Sequence, residues 1–418
     1  MNAPKDEGLL ERLVIKKGSL GPLLAGCELA MRPFTVFIGP QGTGKSLAAQ
    51  MLYFFRDLDR LIPYIEASRA PHSDRSRGKL IKYALDSLRS GDGYFSPFLG
   101  NDTEIEWTPE HSSDAETQPE SFTVRKSGGS LSGRTSKTGT TRTISVTPNR
   151  ALTTRIGRIR QAKTTGPTRA IFVPTERLLC SELTTPAALQ LLKGPSTFTF
   201  FGQALEEAKR TVDDWEGGEP DSDLGKKIRC LSQAELGGEI VLRRGTWKWR
   251  VLQQDRELLL NIDMASSGQK ANWPLVLLAE VLVSWLRDGK VEQGTTIYVE
   301  EPEIHLHPAA QRAVIEILAM LVKKGFRVVL TTHSLTVLYT INNLVQAGRL
   351  PKKQTQSDLP PPLARLSPDD VEAYLFKRDG AVRSLVNRAN GFIDEAELGQ
   401  VSGDLQDQMN KITSLLPD

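Results

Sequence analysis

The chain has 418 residues, 39% of them hydrophobic and 25% charged, and a formal net charge of +3. Those values describe an ordinary globular protein with core enough for two or three domains, and the small net charge names no partner. Three cysteines, Cys27, Cys180 and Cys230, are far apart and odd in number. They argue against a disulfide framework and CxxC metal sites, and suit a reducing cytosol. Charge near the N-terminus falls where a signal peptide would be apolar, so none is expected. The longest apolar run, Leu275 to Leu286, is interrupted by Glu280 and Ser284 and is too short to span a bilayer. A cytoplasmic protein with no membrane partner is expected.

Residues 8–38 read as strand-rich. The last run, Phe34 to Ile38, leads into Gly39-Pro40-Gln41-Gly42-Thr43-Gly44-Lys45-Ser46, a complete G-x-x-x-x-G-K-S followed by a helix-like segment. Strand before and helix after are the context this phosphate-binding loop requires. Its glycines let successive N–H groups face a phosphate, and the helix N-terminus adds its positive end. Lys45 is expected to reach the β- and γ-phosphates and Ser46 to place its hydroxyl on Mg²⁺.

Residues 57–100 read as helical and mixed in charge. From Asp102 to Glu120 there are seven acids and no Lys or Arg; from Arg125 to Arg169 there are eleven bases and no acid. FTVRKS and RTISVTP alternate like two strands of a meander joined by a loop, Gly128 to Gly139. Ala151 to Ala162 reads as a helix carrying Arg155, Arg158 and Arg160. Two readings stand for this basic segment. One is contact with a nucleic-acid phosphate backbone; the other is a solvated flexible insert lying against the chain's own acidic stretch.

Ala170 to Pro174 reads as a buried strand, followed by Thr175-Glu176-Arg177. Residues 178–235 are expected to form a helical arm inserted between two halves of a sheet domain. Strands return from Leu236 to Ile262, where Trp247 and Trp249 suggest a hairpin with one buried aromatic face. Ser266, Ser267 and Gly268 then precede an apolar helix, and could cap it or face an anion.

The stretch Thr296 to Pro308 carries the densest chemistry. The apolar run Ile297-Tyr298-Val299 ends in Glu300 and Glu301. Acids at the end of a buried strand are poor packing unless they meet a cation or a reacting group. Such a pair suits a Mg²⁺-nucleotide site, one acid in the metal shell and one orienting water; a solvated strand end is the alternative. Pro308 opens another helix, and a further strand ends at His333-Ser334. Ligands in open α/β sheets bind beyond the carboxyl ends of strands, which is where all these features fall.

In this order, GPQGTGKS, SSGQK, EEPEIHLHP and TTHS resemble the ABC-type ATPase superfamily. The match is to the branch of SMC/Rad50-type proteins, OLD ATPases and anti-phage defence ATPases, over residues 8–55 and 236–345, more weakly at 170–177. The resemblance implies an α/β fold: an ABC-ATPase head with a mixed sheet core carrying the P-loop, an antiparallel β subdomain and a short inserted helical arm. The expected divisions are 1–177 and 236–350 for the two halves of the head, 178–235 for the arm, and 351–418 for a C-terminal extension, read as a hairpin and a short helix. It implies Mg²⁺-ATP bound by residues 39–46, with Lys45 also in the catalytic set. Ser266, Ser267 and Gly268 would be a degenerate signature facing ATP on a second subunit. Glu300 would serve the metal shell beside Ser46, Glu301 would be the catalytic carboxylate, residues Glu303 to His307 the D-loop, and His333 the switch histidine.

Departures are Glu300 where Asp is usual, a signature lacking its leading Leu and second Gly, and no clear Q-loop, for which Gln161 is the candidate. The PTER segment with Glu176 and Arg177 resembles one in defence-type members. His305 and His307 could form a metal pair, although a D-loop and helix start explain them better. One copy of each motif implies an ATP-dependent homodimer. OLD-type nucleases carry a C-terminal Toprim domain, and no such pattern is read after His333. The expected function is therefore a sensor ATPase of an anti-phage defence system, triggered by a phage protein or DNA and controlling a separate effector, a nuclease. The alternative is a Rad50/RecF-type repair ATPase acting on duplex DNA.

Overall fold

The computed structural model describes residues 11–68, 77–88, 95, 98–100, 102–109, 122–127, 145–162, 167–182, 195–215, 218–243, 246–253, 256–351, 354, 356, 358–388, 390–395 and 406–412. The expected loop Gly128 to Gly139, the acidic run beyond Pro109, and residues 183–194 of the helical reading lie outside them.

Two sheets form the first half. Strands β1 (Arg12–Lys17), β2 (Glu28–Ala30), β4 (Glu104–Thr108), β5 (Phe122–Ser127) and β6 (Ser145–Pro148) make an antiparallel sheet in the order β2-β1-β4-β5-β6. In β1 the alternation of RLVIKK puts Leu13 and Ile15 inside, as a half-buried strand requires. Strand β3 (Phe34–Ile38) belongs to the central sheet and feeds helix α1 (Lys45–Arg56), followed by α2 (Leu58–Ser68) and α3 (Arg77–Asp86). Helix α4 (Arg150–Gln161) is capped by the Asn149 side chain, which accepts the N–H of Leu152.

The central sheet adds β7 (Thr168–Val173), β11 (Val291–Glu300), β12 (Arg327–Thr332), β13 (Val371–Phe376) and β14 (Val382–Ser384). Its order is β14-β13-β3-β12-β11-β7, parallel except for β14. Successive residues of β3 and β11 enter opposite cores. Phe34, Val36, Ile38, Ile297 and Val299 join one apolar cluster; Phe37 and Tyr298 join the other. Burial on both faces is what continuous apolar runs such as FTVFI demand. Tyr53 of α1 packs edge-on against Phe172 and Tyr298, with ring centroids 5.3 and 5.9 Å away, fixing the helix that follows the phosphate loop.

The other face carries helices α5 (Ser196–Asp213), α6 (Asp223–Glu235), α7 (Ser267–Arg287), α8 (Pro308–Val322) and α9 (Leu335–Gly348). The residues expected as an inserted arm pack onto the head: Phe198, Phe201, Leu205, Ala208 and Val212 of α5 and Leu224 and Ile228 of α6 join the main core. Their three- and four-residue spacing makes an apolar stripe, which needs an apolar neighbour rather than solvent. Strands β8 (Glu239–Arg243), β9 (Thr246–Gln253) and β10 (Arg256–Asn261) form a separate antiparallel sheet in which Trp249 is buried and Trp247 half-buried.

The C-terminal segment also differs from the expected extension. A hairpin does form between β13 and β14, but β13 lies in the central sheet beside β3 with every residue buried. VEAYLF is apolar on both faces, so it fits a two-sided core position. Its buried Glu372 is met by Ser384 and Arg388. Residues 406–412 form the expected short helix.

Candidate functional site

The site lies where β3, β11 and β12 end. Gly39 has φ of 145°, and a Cβ there would stand 2.2 Å from the carbonyl oxygen of Phe376. Only glycine permits that backbone and that approach, so β13 helps shape the phosphate loop. Lys45 is buried, and its Nζ donates to the carbonyls of Gly39 and Pro40, each at 2.8 Å. Burial lowers its pKa to about 8, against the pull of Glu301 and Glu303. Loop residues 41–46 line a cavity of about 330 Å³ together with Pro22, Leu47, Phe98, Glu301 and His333.

Glu300 and Glu301 diverge. Glu300 is buried, accepts a hydrogen bond from the Ser46 side chain, and lies 3.4 Å from both the N–H and the hydroxyl of Thr175. Burial pushes its carboxyl up to about 7, Ser46 and Thr175 hold it down, and Glu176 raises it. Glu301 has a left-handed backbone, φ 44°, which swings its carboxylate into the larger cavity. There its Oε1 is 3.5 Å from His333 Nε2.

Glu303 joins the two strand ends. It accepts the Thr332 hydroxyl at 2.7 Å and the His333 N–H at 2.8 Å. Ser334 caps α9 by accepting the N–H of Val337. Arg177 is fully buried beneath the acid pair and donates to the carbonyls of both Glu300 and Glu301. Burial lowers its pKa to about 10, opposed by Glu303, Glu300, Glu301 and Glu176.

A second cavity of about 170 Å³ adjoins Glu300 and is lined by Ser46, Gln50, Leu88, Pro174, Thr175, Glu176, Pro195, Thr197 and Glu300. Among the described residues, Gln50 Oε1 is buried with no hydrogen-bond partner. Hydroxyl, carboxylate and amide oxygens are the hard donors that suit Mg²⁺. Ser46 and Glu300 thus fit a divalent cation.

Several residues singled out in the sequence lie outside both cavities. Ser266 and Ser267 are exposed at the start of α7 and line neither cavity. Ser266 forms a capping box with Gln269, and Gly268 packs against the carbonyl of His305. Gln161 is exposed at the end of α4 and lines neither cavity. Arg155 and Arg160, two of the three expected nucleic-acid contacts, pair with Asp59 and Glu66 of α2; Arg158 is exposed. The opposing acids come from α2, which sequence order alone does not bring to α4. His307 caps α8 through its Nδ1, and His305 has φ of 59°. Among the described residues, no group of three or more His, Cys, Asp or Glu side chains could hold a metal.

Sequence reasoning passed over Gln50, Pro22 and Phe98 and gave Arg177 no role. Gln50 had a signal, since four residues from Ser46 on a helix is the same face. Phe98 had none.

Residues 227–338 match the family model for an AAA ATPase domain. The Old nuclease of Escherichia phage P2 is 28% identical over 104 residues, which is 23% of this chain and 17% of that protein. The chain thus matches about a sixth of that relative's length. Solved structures to which the chain is similar include an Smc head bound to the C-winged helix domain of ScpA, at TM-score 0.45 and 12% identity, covering 90% of this chain and 97% of that one. The SMC head domain from Thermotoga maritima gives TM-score 0.39 and 13% identity, covering 90% and 98%. No described helix is long and apolar enough to cross a membrane.

Proposed function

We propose that this SMC/OLD-like ABC-type ATPase head hydrolyses ATP in a dimer of two copies, and that the cycle controls a separate effector, a nuclease of an anti-phage defence system. The observation that carries the ATPase reading is the convergence of Lys45, Ser46, Glu300, Glu301 and His333 at the ends of three adjacent parallel strands. Phosphoryl transfer needs little more than positioning and charge stabilisation, which such a cluster supplies.

Lys45 exchanges its two loop carbonyls for phosphate oxygens when nucleotide enters. The N–H groups of the loop and the N-terminus of α1 hold the remaining phosphate charge. Ser46 and Glu300 would hold Mg²⁺, which would supply neutralisation of phosphate charge. Glu301 orients the attacking water and accepts its proton, and His333 contacts the γ-phosphate side of the cavity. Ser266 and Ser267, exposed and away from this cavity, would with the buried Gly268 complete the site of the second copy.

The nuclease connection rests on the similarity to the Old nuclease. The test measures ATP turnover and ATP-dependent self-association of the purified chain. Lys45→Ala should abolish nucleotide binding. Glu301→Gln should stop turnover and accumulate the ATP-bound dimer, whereas a scaffold that only binds nucleotide would be unchanged. Metal-dependent cleavage of DNA or RNA by the purified chain alone would overturn the division between ATPase and effector.

A further inference from the structure

The guanidinium of Arg177 is enclosed completely. Nε donates to the carbonyl of Ala271 at 2.8 Å, Nη1 to those of Glu300 at 2.7 Å and Pro174 at 3.2 Å, and Nη2 to that of Glu301 at 2.8 Å. The Glu300 and Glu301 acceptors sit at the end of β11 in the nucleotide site, and Pro174 follows β7 beside the second cavity. The fourth, Ala271, lies in α7 one turn after Ser267.

The segment so held is unusual. Glu301 is a non-glycine residue at φ 44°, a conformation that persists only where its surroundings over-determine it. Here the Glu301 N–H donates to Thr331 O at 3.0 Å while its carbonyl accepts from Arg177. The backbone is clamped from both sides, and this clamp aims the carboxylate into the cavity. A structural filler would not need a charge, whose burial is costly unless every partner is present. The flat, forked guanidinium reaches carbonyls on three segments at once, which a lysine ammonium cannot do.

We propose that Arg177 is a positioning residue: it fixes the left-handed backbone that aims Glu301 and ties that backbone to the helix carrying Ser266 to Gly268. The role rests on the ATPase reading above. It also explains a shared frame. The acid serving a subunit's own nucleotide and the serines facing the partner's nucleotide are anchored on one side chain. Asn272 adds a second tie, donating to the carbonyls of Gly268 at 3.1 Å and Ile304 at 3.4 Å.

The test compares Arg177→Lys and Arg177→Gln in the full chain with the unaltered protein. Thermal melting, affinity for a fluorescent ATP analogue, kcat, and hydrogen exchange over residues 297–306 are measured. The expected result is kcat lower by roughly a hundredfold, nucleotide affinity unchanged, and faster exchange confined to that segment. A kcat equal to that of the unaltered protein, or exchange unchanged there, overturns the proposal. Loss of fold in both variants, or nucleotide affinity falling along with kcat, assigns Arg177 a purely structural role and overturns it too. If the unaltered protein does not hydrolyse ATP, the ATPase reading fails on its own, while the exchange result still decides whether Arg177 holds the Glu301 backbone.

Discussion

The carboxylate of Glu303 accepts the backbone N–H of His333 at 2.8 Å, and the hydroxyl of Thr332 at 2.7 Å on the same oxygen. The segment after β11 therefore sets the position of the histidine after β12. Glu303→Ala removes the acceptor for both donors. We expect a loss of about 1–3 kcal/mol in stability and reduced turnover as His333 loosens. Chemical denaturation and an ATPase assay check this; equal kcat in the variant would show that His333 does not need the tie.

Glu301→Gln keeps the size of the side chain and removes its capacity to take a proton. Turnover is expected to fall by roughly 10²- to 10⁴-fold with nucleotide still bound. Single-turnover kinetics and light scattering in ATP read both effects. Turnover at the unaltered rate would remove Glu301 from the chemistry.

Gly268 is helical, where alanine ordinarily stabilises. Here its Cβ would lie 2.6 Å from the His305 carbonyl oxygen, a backbone atom that cannot move alone. Gly268→Ala should therefore destabilise by about 1–3 kcal/mol and displace the Glu303 to His307 segment. An unchanged melting temperature would show that the two segments can separate.

Asp57 is buried and accepts the Tyr53 hydroxyl at 2.7 Å. Burial pushes its carboxyl up to about 6, with Arg60 and Tyr53 pulling it back. The folded state thus holds this proton more tightly than the unfolded chain. Its contribution is fully present below the ordinary value of 3.8 and is lost as pH rises through about 6. The interval is worth about 3 kcal/mol. Asp57→Asn should flatten the stability profile between those pH values, as followed by denaturant midpoints; a profile parallel to that of the unaltered protein would contradict it.

Arg229 of α6 meets Glu280 of α7 at 2.7 Å, both buried. Arg229→Met leaves Glu280 uncompensated and should cost about 3–5 kcal/mol. Adding Glu280→Leu should restore part of the loss. A double variant no more stable than the single one would show that the pair contributes packing rather than charge.

The nucleotide site was legible because its signals are local. GPQGTGKS, the acid pair and TTHS each sit between a strand and a helix that their own neighbours specify. The helix of Arg155, Arg158 and Arg160 was equally legible, and its role was not. Whether its arginines face a phosphate depends on Asp59 and Glu66, carried by another helix. The same holds for VEAYLF. Its apolar pattern announces a buried strand, but not that β3 is its neighbour.

By itself the sequence determined the phosphate loop, the order of the motifs and the strands that carry them, since backbone propensity and apolar periodicity act over a few residues. Tertiary structure alone decided that Glu300 meets Ser46 while Glu301 turns toward His333, and that Arg177 lies beneath both. Those relations depend on the left-handed backbone at Glu301 and on hydrogen bonds between segments far apart in the chain, as between Ser46 and Glu300 or Thr175 and Glu300. No local pattern encodes such contacts, because they form only when the sheet brings its strand ends together.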